Sequence, residues 1–141
     1  SELEIDYQQI TVEELAASNA NSFDIITCME LLEHVPDPFS VIKACSELVK
    51  AGGAIYFSTI NRNPKSYLFA IIGAEYVMKM LPPGTHDYSK FIRPSELDVW
   101  CRQAGLDIVS IRGISYNPVT RMYRSSSDVT VNYMAHYIKP E

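Results

Sequence analysis

Residues 23–28 have the sequence Phe-Asp-Ile-Ile-Thr-Cys, a short apolar run rich in β-branched side chains. A run of this kind is typical of a strand that is buried on both faces. Residues 39–50 follow with apolar side chains at helical spacing, and residues 54–60 form a second strand-like run, Ala-Ile-Tyr-Phe-Ser-Thr-Ile. The order strand, helix, strand predicts a βαβ unit with parallel strands and a right-handed crossover.

Turn and cap signals mark the ends of these elements. Gly52-Gly53 follows a helix and lacks the GxGxxG context of a phosphate-binding loop. It is therefore predicted to close the helix and turn the chain. On the amino-terminal side, the near-alternating apolar residues of 3–10 predict a short strand. Thr11, with Glu14 three residues later, has the pattern of a capping box and predicts a helix start.

The carboxy-terminal part continues the α/β pattern. Residues 94–105 begin with Pro-Ser-Glu-Leu and end with Gly, which predicts a helix. Residues 108–115 and 129–137 are strand-like and have no helical pattern between them, so we expect an antiparallel pair. Residues 61–93 interrupt the alternation as an apolar insertion.

Composition excludes several classes of protein. The 141 residues fit one domain, and 47% hydrophobic with 21% charged residues is a globular composition. A net charge of −5 gives no sign of a nucleic-acid surface, so no nucleic-acid partner is expected. Three scattered cysteines argue against a disulfide framework and favour a reducing compartment.

The stretch after the first buried strand carries the candidate chemistry, because ligands in open α/β sheets bind beyond the carboxyl ends of strands. If the stretch is a helical turn, Glu30, Glu33 and His34 share one face. They could then bind Mg²⁺, Mn²⁺ or Zn²⁺, or His34 could act as a general base oriented by a glutamate. Alternatively, Glu30 pairs with His34 on a solvated helix end. Met29 either fills the core or covers an adenine ring.

The segment 67–81 is unusually apolar for an insertion and is flanked by Arg62, Lys65 and Lys79. It is either a helix packed on its own domain, or a lid or surface that meets lipid or a greasy substrate.

Several separate stretches together resemble the ubiquinone biosynthesis O-methyltransferases of bacteria and mitochondria, and the resemblance extends from Ile5 to about His136. The stretch at 23–38 resembles the post-strand motif of class I methyltransferases. The more specific stretches lie at 58–63, 73–76, 84–87, 116–118 and 131–134.

This resemblance implies a class I methyltransferase fold, a Rossmann-like α/β sheet with an antiparallel last strand. It implies methyl transfer from S-adenosylmethionine to ring hydroxyls of a polyprenyl catechol and of a demethylated ubiquinol. By the resemblance, Glu30, Glu33 and His34 match an acidic and histidine pattern associated with a divalent cation, with Mg²⁺ expected. His34 and Glu33 are the catalytic candidates. Met29, Thr11 and Val12 match positions beside the cofactor.

The resemblance also implies a location and partners. We expect an enzyme in the cytoplasm, peripheral at a bacterial inner membrane, or on the mitochondrial matrix side. Membrane contact is expected through 67–81, and other ubiquinone-biosynthesis proteins are candidate partners.

Two features of the family are missing from the sequence: the glycine-rich loop after the first strand and the acidic residue after the second. Compared with the family, residues 1–141 correspond to the carboxy-terminal part of a single methyltransferase domain, truncated before the third strand. The segment alone is therefore expected to bind S-adenosylmethionine weakly or not at all, and to be inactive. Two other functions remain open: a non-catalytic lipid-binding or scaffold module, and a class I methyltransferase with another acceptor.

Overall fold

The described strands of the protein form one mixed sheet, with strand order β1-β2-β5-β3-β4. A computed structural model describes residues 4–67, 87–117, 120 and 122–141. Its helices are α1 (Val12–Ser18), α2 (Pro38–Leu48), the one-turn α3 (Pro64–Ser66) and α4 (Pro94–Gln103), and its strands are β1 (Phe23–Met29), β2 (Val49–Ile60), β3 (Asp107–Asn117), β4 (Met122–Ser126) and β5 (Asn132–Ile138).

The predicted βαβ unit is confirmed. β1 pairs with β2 in parallel, and α2 connects them. The side chain of Asp37 accepts hydrogen bonds from the backbone N–H groups of Phe39 and Ser40, which fixes the start of α2, and Pro38 occupies the first turn, where its missing N–H is not needed.

The antiparallel end of the sheet is also confirmed, with one strand that was not predicted. β5 pairs antiparallel with both β2 and β3, so the last strand lies between them. β4 forms a hairpin with β3 at the outer edge. The sequence of β4, Met-Tyr-Arg-Ser-Ser, contains no apolar run because most of its residues are exposed, and it therefore gave no strand signal.

The predicted strand at 3–10 is wrong over the residues that are described. Residues 4–11 belong to no helix or strand, and all are exposed. Ile5 is 61% and Tyr7 85% exposed. A segment with a period-2 pattern forms a strand only when its backbone hydrogen-bonds to a neighbouring strand. No described strand pairs with residues 4–11.

The two glycines at 52–53 lie in β2 and not at the end of α2. The helix ends at Leu48, and the register between β1 and β2 shifts across the glycines. Gly52 has a φ of +74°, which suits a bulged backbone. A Cβ at position 53 would lie 2.8 Å from the carbonyl oxygen of Asp24, so only glycine lets the strands approach here.

The core lies between one face of the sheet and helices α2 and α4. Its central side chains come from alternating positions of β2 and β5, such as Ile55, Phe57 and Tyr137, and from α2 and α4. Tyr133 is fully buried, and its hydroxyl donates to the carbonyl of Ile92 at 3.0 Å. Helix α1 packs on α2 through Ala16, Ala44 and Leu48.

Candidate active site

The carboxyl ends of β1 and β2 lie side by side, and the candidate residues follow β1 at this edge. Met29, the last residue of β1, is opposite Ser58 in the ladder. Glu30 follows in the left-handed region with a φ of +49°, which is uncommon for a residue with a side chain. Its N–H donates to both the carbonyl oxygen and the hydroxyl of Ser58, at 3.0 and 3.1 Å. The chain thus turns away from β2 only after Glu30.

Each glutamate is held by a hydroxyl of β2. The Ser58 hydroxyl donates to Oε1 of Glu30 at 2.9 Å, and the Thr59 hydroxyl donates to Oε2 of Glu33 at 2.9 Å. Consecutive residues of a strand point to opposite faces of the sheet. Thr59 shares the core face with Phe57, whereas Ser58 shares the other face with Tyr56. The two carboxylates are therefore bound from opposite faces of the sheet.

The single face expected for Glu30, Glu33 and His34 is not formed. That expectation required a helical turn from residue 30, but Glu30 continues the pairing with β2 and only Leu32–His34 form a 3₁₀ turn. Within the part of the chain that is described, no group of three or more His, Cys, Asp or Glu side chains could hold a metal ion. In this arrangement the three residues do not fit one shared cation.

Burial separates the roles that Glu33 and His34 can have. Glu33 is only 3% exposed, and its Oε1 is enclosed without a hydrogen-bond partner among the described residues. His34 is exposed at the end of the 3₁₀ turn, where its N–H donates to the carbonyl of Leu31 at 2.9 Å. His34 can therefore reach a bound molecule, whereas Glu33 fixes the turn that carries it.

A cavity of about 900 Å³ lies beside this loop, between the segment at 6–10, the start of α1 and the start of α2. Of the three predicted cofactor residues, Thr11 and Val12 line it, and Met29, which is 44% exposed at the end of β1, does not. Leu31 and Val35 of the loop add apolar walls that the sequence did not identify. The sequence signal that could have indicated that Leu31 and Val35 line a cavity is the alternation of apolar with acidic residues at 29–36.

The polar groups around the cavity are mainly acceptors. Glu13 Oε1 accepts a hydrogen bond from the hydroxyl of Ser40 at 2.8 Å, which ties α1 to α2 across the rim. The predicted capping box is confirmed, since Thr11 N–H donates to Glu14 at 3.1 Å and Glu14 N–H donates to the Thr11 hydroxyl at 3.2 Å. The backbone and then the side-chain hydrogen bond from Thr11 hold the pKa of Glu14 below its usual value. Apolar walls with acceptors at the rim suit a flat ring that carries hydrogen-bond donors.

Beyond β2, the start of the segment 61–93 is fastened to the loop before β5. Asn61 donates through its side chain to the carbonyl of Val129 at 2.8 Å, and Lys65 contacts Asp128 at 3.2 Å. The hydroxyl and N–H of Thr130, together with Lys65, lower the pKa of Asp128 to about 2. The prediction of a lid or membrane-facing surface at 67–81 lies outside the described residues, apart from Tyr67.

A family model described as a methyltransferase domain matches residues 3–111. The chain belongs to this methyltransferase family. The α/β fold class expected from the sequence is confirmed by solved methyltransferase structures with this fold, and the expected antiparallel last strand is β5. A SAM-dependent methyltransferase from Archaeoglobus fulgidus gives a TM-score of 0.63 at 17% identity, over 94% of this chain and 66% of that one. One from Methanosarcina mazei gives 0.57 at 18% identity, over 89% of this chain and 64% of that one.

Curated relatives are much more similar in sequence. The ubiquinone biosynthesis O-methyltransferase of Stutzerimonas stutzeri (strain A1501) is 63% identical over 139 residues, which are 99% of this chain and 60% of that protein. The protein of the same name from Azotobacter vinelandii is 64% identical over 134 residues, 95% of this chain and 58% of that protein. The chain thus spans about 60% of the length of the curated relatives it matches.

Proposed function

We propose that the protein is an S-adenosylmethionine-dependent O-methyltransferase of ubiquinone biosynthesis. The observation that carries this proposal is the 58–64% identity, over nearly the whole chain, to relatives that all have this name. The fold alone could not support it, because a cyclase shares the fold with a TM-score of 0.60. The acceptors we propose are ring hydroxyls of a polyprenyl catechol and of a demethylated ubiquinol.

The cavity beside the loop is the proposed site for the adenine of the methyl donor. Thr11, Val12, Leu31 and Val35 offer apolar contacts to a flat ring, and the acceptors at the rim suit its exocyclic amine. When bound, the donor supplies an electrophilic methyl group on a sulfonium. Met29, exposed at the end of β1, lies on the side of the loop towards the reacting centre in this proposal.

The residues of the chain contribute orientation and proton removal. His34, exposed on the loop, accepts the proton of the ring hydroxyl at a ring nitrogen, so that the oxygen attacks as a phenolate. Glu33, buried and bonded to Thr59, holds the turn that carries His34. Because methyl transfer needs the attacking oxygen in line with the bond that breaks, we expect much of the rate to come from this orientation.

A divalent metal is not part of this proposed mechanism. Glu30 and Glu33 are bonded to hydroxyls on opposite faces of the sheet, so in this arrangement they do not hold a shared ion. The sequence prediction of Mg²⁺ can be checked by adding Mg²⁺ or a chelator to the full-length protein. Loss of activity with the chelator and recovery with Mg²⁺ would support the metal, and would require the loop to rearrange.

The membrane and partner predictions are also part of the proposal. No helix in the described ranges is long and apolar enough to cross a bilayer. The polyprenyl tail of the proposed acceptor prefers lipid, so we propose a peripheral contact at the inner membrane through 67–81, near other ubiquinone-biosynthesis proteins. Flotation of the full-length protein with liposomes tests this contact, and a protein that stays with the soluble fraction argues against it.

Methyl transfer by the full-length protein to a prenylated catechol tests the main proposal. We expect one methyl group to be added to one ring hydroxyl of the catechol, detected by mass spectrometry, only when S-adenosylmethionine is present. Unprenylated catechols and unrelated acceptors serve as controls. Transfer to unrelated acceptors but not to the prenylated ring would show another acceptor class. Liposome binding without any transfer would favour a non-catalytic lipid-binding module.

A further inference from the structure

Two buried hydroxyl groups at the end of β2 hold the loop that follows β1. Ser58 is 2% exposed and Thr59 is fully buried. Their partners, Glu30 and Glu33, are 28 and 26 residues away in sequence. The hydroxyls therefore join the carboxyl ends of two parallel strands through side chains, at the edge of the sheet where ligands bind in folds of this kind.

The Ser58 hydroxyl makes two bonds to the same residue. It accepts from the N–H of Glu30 at 3.1 Å and donates to Oε1 of Glu30 at 2.9 Å. The two bonds close a ring around the residue with a φ of +49°. A non-glycine residue keeps such a backbone conformation only when its surroundings fix it. Ser58 therefore sets the direction in which the loop leaves β1.

The Thr59 hydroxyl fixes the other end of the loop. It donates to Oε2 of Glu33, while Oε1 of Glu33 is enclosed without a partner in the described residues. Thr59 is thus the donor that compensates a carboxylate with little access to water, and removing it leaves a buried acceptor unsatisfied. Glu33 lies between Leu31 and Val35, which line the cavity, and next to the exposed His34.

We propose that Ser58 and Thr59 are positioning residues for methyl transfer. Through Glu30 and Glu33 they fix the loop that presents His34 to the acceptor and Leu31 with Val35 to the methyl donor. This inference rests on the proposed function. Neither hydroxyl touches the reacting atoms; each acts through the glutamate that it binds.

The test uses variants that separate the hydroxyl from side-chain volume. In the full-length protein, Thr59→Val keeps the shape and removes the hydroxyl, whereas Thr59→Ser keeps the hydroxyl and removes a buried methyl group. Ser58→Ala removes the other hydroxyl. Ser46→Ala is the matched control, because Ser46 is a buried serine whose hydroxyl donates to the carbonyl of Ala104 at 2.8 Å, in a contact between α2 and the end of α4.

We expect kcat/KM for S-adenosylmethionine to fall about ten- to hundredfold in Thr59→Val and in Ser58→Ala, because small displacements of a positioned group cost this much. Thr59→Ser should retain most of the activity even if it is the less stable of the two variants at this position. Ser46→Ala should keep wild-type kinetics. All rates are measured below the unfolding midpoint of each variant, with folding checked by circular dichroism.

Three results would overturn the inference. Thr59→Ser could lose as much kcat/KM as Thr59→Val, or kcat/KM across the variants could follow their unfolding midpoints alone. The third is unchanged kinetics in both Ser58→Ala and Thr59→Val. If Thr59→Val does not fold, the comparison of kcat/KM between Ser58→Ala and the control Ser46→Ala tests the inference. A wild-type protein that transfers no methyl group would refute the proposed function instead, so the two failures are distinguishable.

Discussion

At the residue scale, His34 is the exposed member of the candidate site, and its replacement separates catalysis from folding. We predict that His34→Ala lowers kcat of the full-length protein about a hundredfold or more, as expected for loss of a general base. The unfolding free energy should change by less than about 0.5 kcal/mol, because the side chain is exposed. Glu33→Ala should also lower the activity strongly, through the turn that it holds.

The control for this prediction is His136→Ala. His136 stacks on Tyr56 with ring centroids 4.5 Å apart, on the sheet face away from α2 and α4, and it does not line the cavity. Steady-state kinetics at a temperature where every variant is folded should show nearly normal activity for His136→Ala. Full activity of His34→Ala would remove the general base from the proposal.

Gly113 gives a second prediction at this scale. A Cβ at this position of β3 would lie 1.7 Å from the carbonyl oxygen of Asp128, which belongs to the backbone and cannot rotate away. Gly113→Ala should therefore lower the unfolding free energy by about 1–3 kcal/mol or more, as overpacking does. Urea unfolding measures this. Ser110→Ala, at an exposed position of the same strand, should stay within about 0.5 kcal/mol of wild type.

At the scale of elements, the contact between the segment after β2 and the loop before β5 should depend on pH. The hydrogen bonds from Thr130 and the nearby Lys65 lower the pKa of Asp128 from 3.8 to about 2. A carboxyl whose folded pKa is depressed stabilises the fold above its unfolded pKa and loses that contribution as pH falls through the folded pKa. We therefore expect this contribution at pH above 3.8 and its loss between pH 3.8 and about 2.

Urea unfolding of wild type and Asp128→Asn over this pH range measures the effect. The variant should be less stable than wild type near neutral pH, and the difference should shrink towards pH 2. Because the Asp128 and Lys65 side chains are exposed and solvent screens the pair, we expect a small effect. Parallel curves with a constant difference would show that the ionisation of Asp128 does not stabilise this contact.

Local patterns predicted the elements whose signals lie within the element itself. The apolar run of β1, the helical spacing of α2 and the capping box of Thr11 and Glu14 were all recovered, because burial and capping act within a few residues. Residues 4–11 show the opposite case, since their alternation depends on a strand partner that local sequence does not supply. β4 was missed because it is an exposed edge strand with mixed polarity.

The candidate site was predictable only in part for the same reason. The position of the loop beyond β1 followed from the rule for open sheets, and Thr11 with Val12 do line the cavity. The arrangement of Glu30 and Glu33 did not follow, because it depends on hydroxyls 26–28 residues away on the neighbouring strand. The spacing of Glu30 and Glu33 along the loop does not show which hydroxyl of β2 binds each carboxylate, or on which face of the sheet that hydroxyl lies.

At the scale of the whole molecule, β1 lies at the end of the described sheet and pairs only with β2 there. Ile25 of this strand is 62% and Phe23 39% exposed. An apolar edge strand with unpaired backbone groups is a template for association. We predict that the 141-residue chain self-associates at micromolar concentration and that Ile25→Lys reduces this. Sedimentation velocity measures it, with Val99→Lys, exposed on helix α4, as the control that should associate like wild type.

Methyl-donor binding is the property in which the 141-residue chain should differ most from longer relatives. The cavity beside the loop supplies apolar walls from Thr11, Val12, Leu31 and Val35 and acceptors at its rim. These groups suit the adenine, but a donor of this size also needs contacts to its ribose and to its amino-acid part. The glycine-rich loop that the resemblance leads us to expect for those contacts does not occur in the sequence.

We therefore expect isothermal titration of the 141-residue chain with S-adenosylmethionine to show a dissociation constant in the millimolar range or weaker. A longer protein of the relatives' length should bind much more tightly. A millimolar to micromolar difference corresponds to about 4 kcal/mol of binding free energy, which the contacts outside the adenine cavity would have to contribute. Micromolar binding by the 141 residues would contradict this, and would place the main donor contacts in the cavity between α1 and the loop after β1.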